Sequence, residues 1–257
     1  MRIALIDGDI LRYEIGAICE GEDGPMSWQY VEDTIETKIA NICAAAGASL
    51  EPYIFLTEGK TFRDEVAVTK PYKGNRKEDK PFHFKNITTY LNNQFQVIQK
   101  DGLEADDMMA IYQTQYNEAD TPDETVICTR DKDLLQVPGW HYGWECGKQR
   151  ERFVHKVDEN GFIIQREKKF YGEGMAFFFF QLLMGDSTDN IPGAKGVGQM
   201  KAYAHLAPLE VPFMWQKVRE VYDEKGHDDE YLLEQGQLLW MVRGLKDGEP
   251  LIWQLPD

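Results

Sequence analysis

Acidic side chains recur in this sequence where one element is about to end or another to begin. Asp7 and Asp9 close the apolar run IALI, and Glu58 follows PYIFLT. Glu104, Asp106 and Asp107 stand within four residues of one another. Asp131 and Asp133 follow TVICT, and Asp186 and Asp189 flank a Ser-Thr pair. Singly, each is an ordinary cap or turn former. Collectively they are carboxylates that repel one another. The Glu104 group is the hardest to explain as capping, because a second and third acid add little to the first. Leu103, Ala105, Met108 and Met109 also surround the group with apolar neighbours. Burying an unpaired carboxylate is costly, and a bound cation removes the cost. An oxygen-only donor set suits magnesium, with manganese as its substitute, and no His or Cys cluster favours zinc. About eight carboxylates leave room for two ions ~4 Å apart, as in two-metal phosphoryl chemistry, which needs no protein nucleophile. No convincing Ser-His-Asp or Cys-His grouping competes with that reading.

Two other segments carry chemistry. Lys70, Lys73, Arg76, Lys77 and Lys80 share one polar stretch broken by Pro71 and Pro81. It reads either as a solvated loop or as a basic element that grips phosphates and lends positive charge to a transition state. Tyr72 and Phe82 would offer stacking faces to splayed bases. Further on, GAKGVG at 193–198 precedes QMKA, a tight hairpin leading into a helix, where backbone amides form a phosphate site. No Gly-Lys-Ser/Thr closes it, so it is not a Walker A loop.

The elements that must position these residues alternate. Strands are expected at 2–6, 52–57, 96–99 and 125–129, with shorter pieces near 141–144 and 153–157. Helical spacing covers 28–46, 86–95, 103–116 and 176–184. The stretch 58–85 reads as a loop or irregular helical excursion, and the C-terminal region as mainly helical with a tail strand, PLIWQL. Alternating strands and helices indicate an α/β fold with a mainly parallel sheet, whose ligand sites lie beyond the carboxyl ends of the strands. Asp186 and Asp189, at i and i+3, would share a helix face. The formal net charge of -16 argues against an ordinary phosphate-backbone binder, unless the acids converge on cations that invert the local field. Four cysteines without a paired spacing read as reduced thiols. The N-terminal apolar run is too short for a signal segment, and no run approaches a membrane span, so a soluble, cytoplasmic protein is expected.

In their order these motifs resemble the 5′-3′ exonuclease and flap endonuclease family, especially its small phage members of the podovirus type, over nearly the whole chain. LIDGD is similar to the family's first metal motif. LTEGKTFR with PYKGNRK is similar to its second acid and helical-arch bases, Glu58 standing where relatives often have Asp. GLEADDMMA is similar to the central acid triplet and TRDKDLLQ to the acid pair. MGDSTDNIPGAKGVG is similar to the last acid pair running into a helix-three-turn-helix, and EQGQLLWMVRGL with LIWQLPD to the podovirus-type C-terminus.

The resemblance implies a PIN-like catalytic domain at 1–174, with the arch at about 60–85, and a helical DNA-binding region at 175–257. It implies Asp7, Glu104, Asp106 and Asp131 at one metal site, Asp133, Asp186 and Asp189 at a second, and Asp107 in or just outside the ligand set. Lys73 and Arg76 would contact the scissile phosphate, beside Tyr72. Gly193, Lys195, Gly196, Gly198 and Lys201 would clamp the duplex, with a potassium ion as a further expectation. The implied protein is a monomeric enzyme acting on double-stranded DNA with free 5′ ends or flaps, and on RNA–DNA hybrids. It would serve phage replication or recombination in the cytoplasm of a bacterial host. Two rival readings are a haloacid-dehalogenase-type phosphatase with Asp7 as nucleophile, and a non-catalytic DNA-binding accessory protein.

Overall fold

The computed structural model describes residues 1–76, 79–119 and 124–256, in two compact units. The first comprises Met1–Gly59, Glu78–Lys132 and Gly139–Lys156. It runs β1 (Ile3–Asp7), α1 (Gly8–Ile18), α2 (Trp28–Ala46) and β2 (Tyr53–Phe55). After α3 (Phe62–Val66), which belongs to the second unit, follow α4 (Phe84–Gln94), β3 (Gln96–Ile98), α5 (Ala105–Glu118), β4 (Thr125–Cys128), β5 (Gly139–Gly143) and β6 (Arg152–Val157). The six strands form one sheet in the order β3-β2-β1-β4-β5-β6. The pairs joining β3 to β2, β2 to β1, β1 to β4 and β4 to β5 are all parallel. This is the α/β class that the alternation of strands and helices predicts.

β1 is central, and all five of its residues are buried, as a strand covered on both faces must be. Ala4 and Ile6 face α1, α2 and α4 together with Ile54, Val126 and Cys128. The alternate residues Leu5, Phe55 and Ile127 are equally buried, and Tyr112 of α5 meets Phe55 edge to face at 5.3 Å. The predicted turn at Asp7-Gly8-Asp9 is a helix start instead. Asp7 caps α1 by accepting from the Ile10 amide at 3.0 Å. Gly8 is required there, since a Cβ would meet Ile54, Leu56 and the Phe55 carbonyl oxygen, each at 2.7 Å.

The second unit comprises Lys60–Lys77, Asp133–Pro138 and Val157–Asp257. It contains α3, a 3-10 turn at Asp133–Gln136, β7 (Phe162–Arg166), β8 (Lys169–Glu173), α6 (Gly174–Met184), α7 (Gln199–Leu206), α8 (Val211–Glu224) and α9 (Asp229–Leu239). Phe177, Phe178, Phe179 and Phe180 make α6 apolar on all sides, and the hairpin and the later helices bury it. The β7–β8 hairpin went unread in the sequence. The expected tail strand shrinks to β10 (Glu249–Pro250), paired with β9 (Leu245–Lys246). All four cysteines are free. Among the described residues, no helix is long and apolar enough to cross a membrane.

Candidate functional site

In the first unit the acids gather where β1 and β4 end and α5 begins. Asp7 is 2% exposed. Besides capping α1, it accepts from the Thr129 hydroxyl at 2.7 Å. Burial, then the charge of Asp9, and lastly that of Asp131 push its carboxyl up to about 7, against the opposing pull of its two donors. Asp9 is pushed up by burial too, with Glu104 adding to the rise; Arg12, at 2.7 Å, and Thr57 hold it back. Glu104 caps α5 and shares a capping box with Asp107, which accepts from the Glu104 amide at 3.3 Å. Glu104 and Asp107 are buried, and Asp106 and Asp131 half-buried. Glu58 is exposed.

Two threonines that the sequence reading passed over organise this edge. Thr129 donates to Asp7 and accepts from the Asp131 amide at 3.0 Å, which ties the two acids together. The Thr57 amide donates to Asp9 at 3.1 Å, and its hydroxyl accepts from the Ala105 amide at 2.9 Å, which ties Asp9 to the start of α5. Their only trace in the sequence is a hydroxyl directly after an apolar strand. Removing an oriented donor beside a metal ligand costs roughly 10–100-fold in metal affinity or activity. On the expectation that Asp7 and Asp131 hold a divalent ion, Thr129→Val should weaken manganese binding by about that factor with the fold intact. Unchanged calorimetric affinity would dismiss the positioning role.

The second unit carries the remaining acids. Asp133 accepts from Gln181 at 2.7 Å; Gln181 accepts from Gln136 at 2.8 Å; Gln136 also donates to the Leu239 carbonyl at 2.9 Å. This buried amide relay holds Asp133, and its signal was the lone amide in FFFFQLL. Asp186 and Asp189 do not share a helix face: α6 ends at Gly185, and both lie in the loop beyond it. Asp186 and Ile191 exchange backbone hydrogen bonds at 2.9 and 2.8 Å, closing that loop. Gly185 and Gly193 let its ends cross; at either, a Cβ would come within 2.3 Å of backbone.

The basic stretch docks on this loop. Arg76 pairs with Asp189, the Tyr72 hydroxyl donates to Asp189 at 3.1 Å, and the Lys73 amide donates to the Asp189 carbonyl at 2.9 Å. Asn75 and Asn190 add bonds to Ser187 and Pro71. The half-buried ring of Tyr72 packs on the unit's core while its hydroxyl is anchored on Asp189. Phe82 is exposed, and Lys77 lies outside the described residues. Gly193 is buried, its amide donates to Gln235 and its carbonyl accepts from Tyr231. Lys195, Gly196 and Gly198 are exposed, in a loop leading to α7 rather than a hairpin, and the exposed Lys201 stands in the first turn of α7.

Among the described residues, no three His, Cys, Asp or Glu side chains stand ready to hold one ion. Asp9 pairs with Arg12, and Asp189 with Arg76. The chemistry of the donors nevertheless fits a hard divalent cation. They are all oxygen, several are buried, and the Asp7 carboxyl is raised by burial beside two further acids.

Residues 35–156 match the family model for the 5′-3′ exonuclease N-terminal, resolvase-like domain. The chain is 30% identical over 162 residues to DNA polymerase I of Pseudomonas aeruginosa, covering 60% of this chain and 16% of that protein. It is 30% identical over 156 residues to the 5′-3′ exonuclease of Mycoplasma genitalium, covering 57% of this chain and 50% of that one. The chain thus spans half or less of the length of these curated relatives. Its fold matches that of the bacteriophage T5 5′-exonuclease solved with zinc, with a TM-score of 0.65 and 18% identity over 93% of this chain and 89% of the other. The catalytic core of Rad2 in complex with DNA gives a TM-score of 0.51 and 16% identity over 100% and 84%.

Proposed function

We propose that this chain is a member of the 5′-3′ exonuclease family, on the match of residues 35–156 to the model of its N-terminal, resolvase-like domain, and that it is a metal-dependent 5′-3′ exodeoxyribonuclease and flap endonuclease. One observation carries the reading: Asp7, at the end of the central strand, is a fully enclosed carboxyl raised to about 7 beside Asp9 and Asp131. A protein gains no stability from such a group, and perturbed carboxyls in clusters mark functional sites. Among metal-using chemistries, phosphodiester hydrolysis suits an all-oxygen site on a chain with basic elements nearby in sequence.

Asp7, Glu104, Asp106 and Asp131 would hold one divalent ion, and Asp133, Asp186 and Asp189 a second; Asp107 supports the first set through its capping box. Magnesium is the expected ion, with manganese as substitute. Bound ions would supply Lewis acidity toward the phosphoryl oxygens. The chain's own residues do the rest. Lys73 and Arg76 present positive charge to the scissile phosphate, held by the bonds of their segment to the 186–190 loop. Thr129 and Thr57 orient the carboxylates. Gly196, Gly198 and Lys201, with Lys195, grip the duplex backbone at the start of α7 within a helix-three-turn-helix, with a potassium ion proposed there. Residues 175–257 form the DNA-binding region in this reading, and 1–174 the catalytic part. The substrates are duplex DNA with free 5′ ends or flaps, and RNA–DNA hybrids, in phage replication or recombination.

The deciding experiment is release of labelled nucleotide from 5′-labelled duplex DNA with magnesium, with EDTA as control. A series of blunt duplex, 5′ flap and RNA–DNA hybrid ranks the substrates. Metal-dependent release that begins at the 5′ end is the expected result. No release from any substrate with magnesium or manganese would overturn the assignment.

A further inference from the structure

The β7–β8 hairpin breaks two local rules in one place. Its tip is the two-residue turn Glu167-Lys168, and Glu167 adopts φ 55, where such turns ordinarily place Gly or Asn. Arg166 and Lys169 are direct cross-strand partners, so two positive charges face each other across the last pair. Like charges in that position destabilise a hairpin. Residues 165–169 are all exposed, so no buried contact offsets either cost. Local rules broken without structural return are expected where a surface serves a ligand.

The tip does not stand alone. Gln165, Lys168 and Phe170 on the hairpin side and Gly198–Lys201 on the helix side line one groove of about 720 Å³. Residues 165–169 and 195–201 together hold five Lys or Arg and one Glu, in a chain with 28 basic and 44 acidic residues. Lys168 and Lys201 line the groove itself, and Arg166, Lys169 and Lys195 stand in the segments that flank it, so an acidic protein gathers positive charge there, complementary to a polyanion. The groove also reaches Gly198, two residues after the exposed Gly196. We propose that the β7–β8 hairpin tip is a second grip on duplex DNA, with Lys168 and Lys169 contacting backbone phosphates beside those held at the start of α7. This rests on the nuclease reading for the identity of the polyanion.

The test is Lys168→Glu/Lys169→Glu, with Lys225→Glu/Lys246→Glu as a control that changes net charge equally elsewhere in the same unit. Duplex affinity is measured across a salt series, and turnover at saturating DNA with magnesium. Losing two phosphate contacts lowers the slope of log K against log salt by about 1.8. The expected result is that slope change and a roughly tenfold or greater loss of affinity near 0.1 M salt. The control should keep the wild-type slope. An unaltered slope and affinity in the hairpin variant, in a wild type that binds and cuts duplex, would overturn the second grip alone. An equal loss in the control would overturn it as well. A wild type that binds no duplex would sink both this inference and the nuclease reading.

Discussion

Replacing Asp7 by Asn is expected to make the metal-free protein more stable and to abolish the metal-dependent cleavage proposed for it. The sign follows from the raised carboxyl. Folding lifts Asp7 from 3.8 to about 7, so the folded state binds its proton more tightly than the unfolded state. Stability from this group is then full below the unfolded value and is lost as pH rises through about 7. At pH 8 the charged form costs on the order of 1–4 kcal/mol, which Asn removes. Asn retains the acceptor for the Ile10 amide, and the Thr129 hydroxyl can accept from its amide group. With EDTA at pH 8 the variant should melt several degrees above the parent, and at pH 4 the two should coincide. Magnesium or manganese should then stabilise the parent more than the variant, because a proposed ligand of one of the two ions is gone. Turnover should fall by about a thousandfold or more, the equivalent of several kcal/mol of lost charge stabilisation. A parent and variant with equal metal-free melting curves at pH 8 would refute the electrostatic account. Retained turnover would refute the ligand role.

The second large effect is expected at Arg63, which is 0% exposed. Its Nε donates to the Leu238 carbonyl at 3.0 Å and its Nη2 to the Trp240 carbonyl at 2.6 Å, at the end of α9. These bonds anchor the segment that, a few residues later, carries Lys73 and Arg76. Arg63→Met would leave buried carbonyls without donors at about 1.5–3 kcal/mol each, so at least ~3 kcal/mol should be lost. That corresponds to a fall of roughly 6–12 °C in a chain of this size. Lys keeps the charge but not the fork that reaches two carbonyls, so Arg63→Lys should recover only part of the loss. Turnover should fall in both variants even well below their melting points, because the anchored segment presents Lys73. A Met variant that melts within 2 °C of the parent would contradict the anchoring role.

The same contrast separates what the sequence by itself determined from what only the tertiary structure decided. Periodicity and apolar runs determined the α/β alternation: α2 was legible to its ends, and β1, β4 and α5 to within a few residues. They were legible because the patterns are local, with side chains repeating every second or every 3.6 residues on a buried face. The acidic groups were legible for a related reason, since three carboxylates in four residues cannot be accounted for by capping alone. Other features depended on partners far along the chain. Thr129 ties to Asp7 across 122 residues, Arg76 to Asp189 across 113, and Gln181 to Asp133 across 48. No pattern within one segment encodes such a bond. The β7–β8 hairpin escaped because Glu167 stands where a turn signal would normally be Gly or Asn. The close backbone crossing at Gly193, where a Cβ would come within 2.3 Å of Gly185, was likewise invisible, because a glycine in a sequence does not show which neighbour requires it. Sequence marks which groups are costly to leave alone, and folding decides which neighbour, cation or backbone relieves each one.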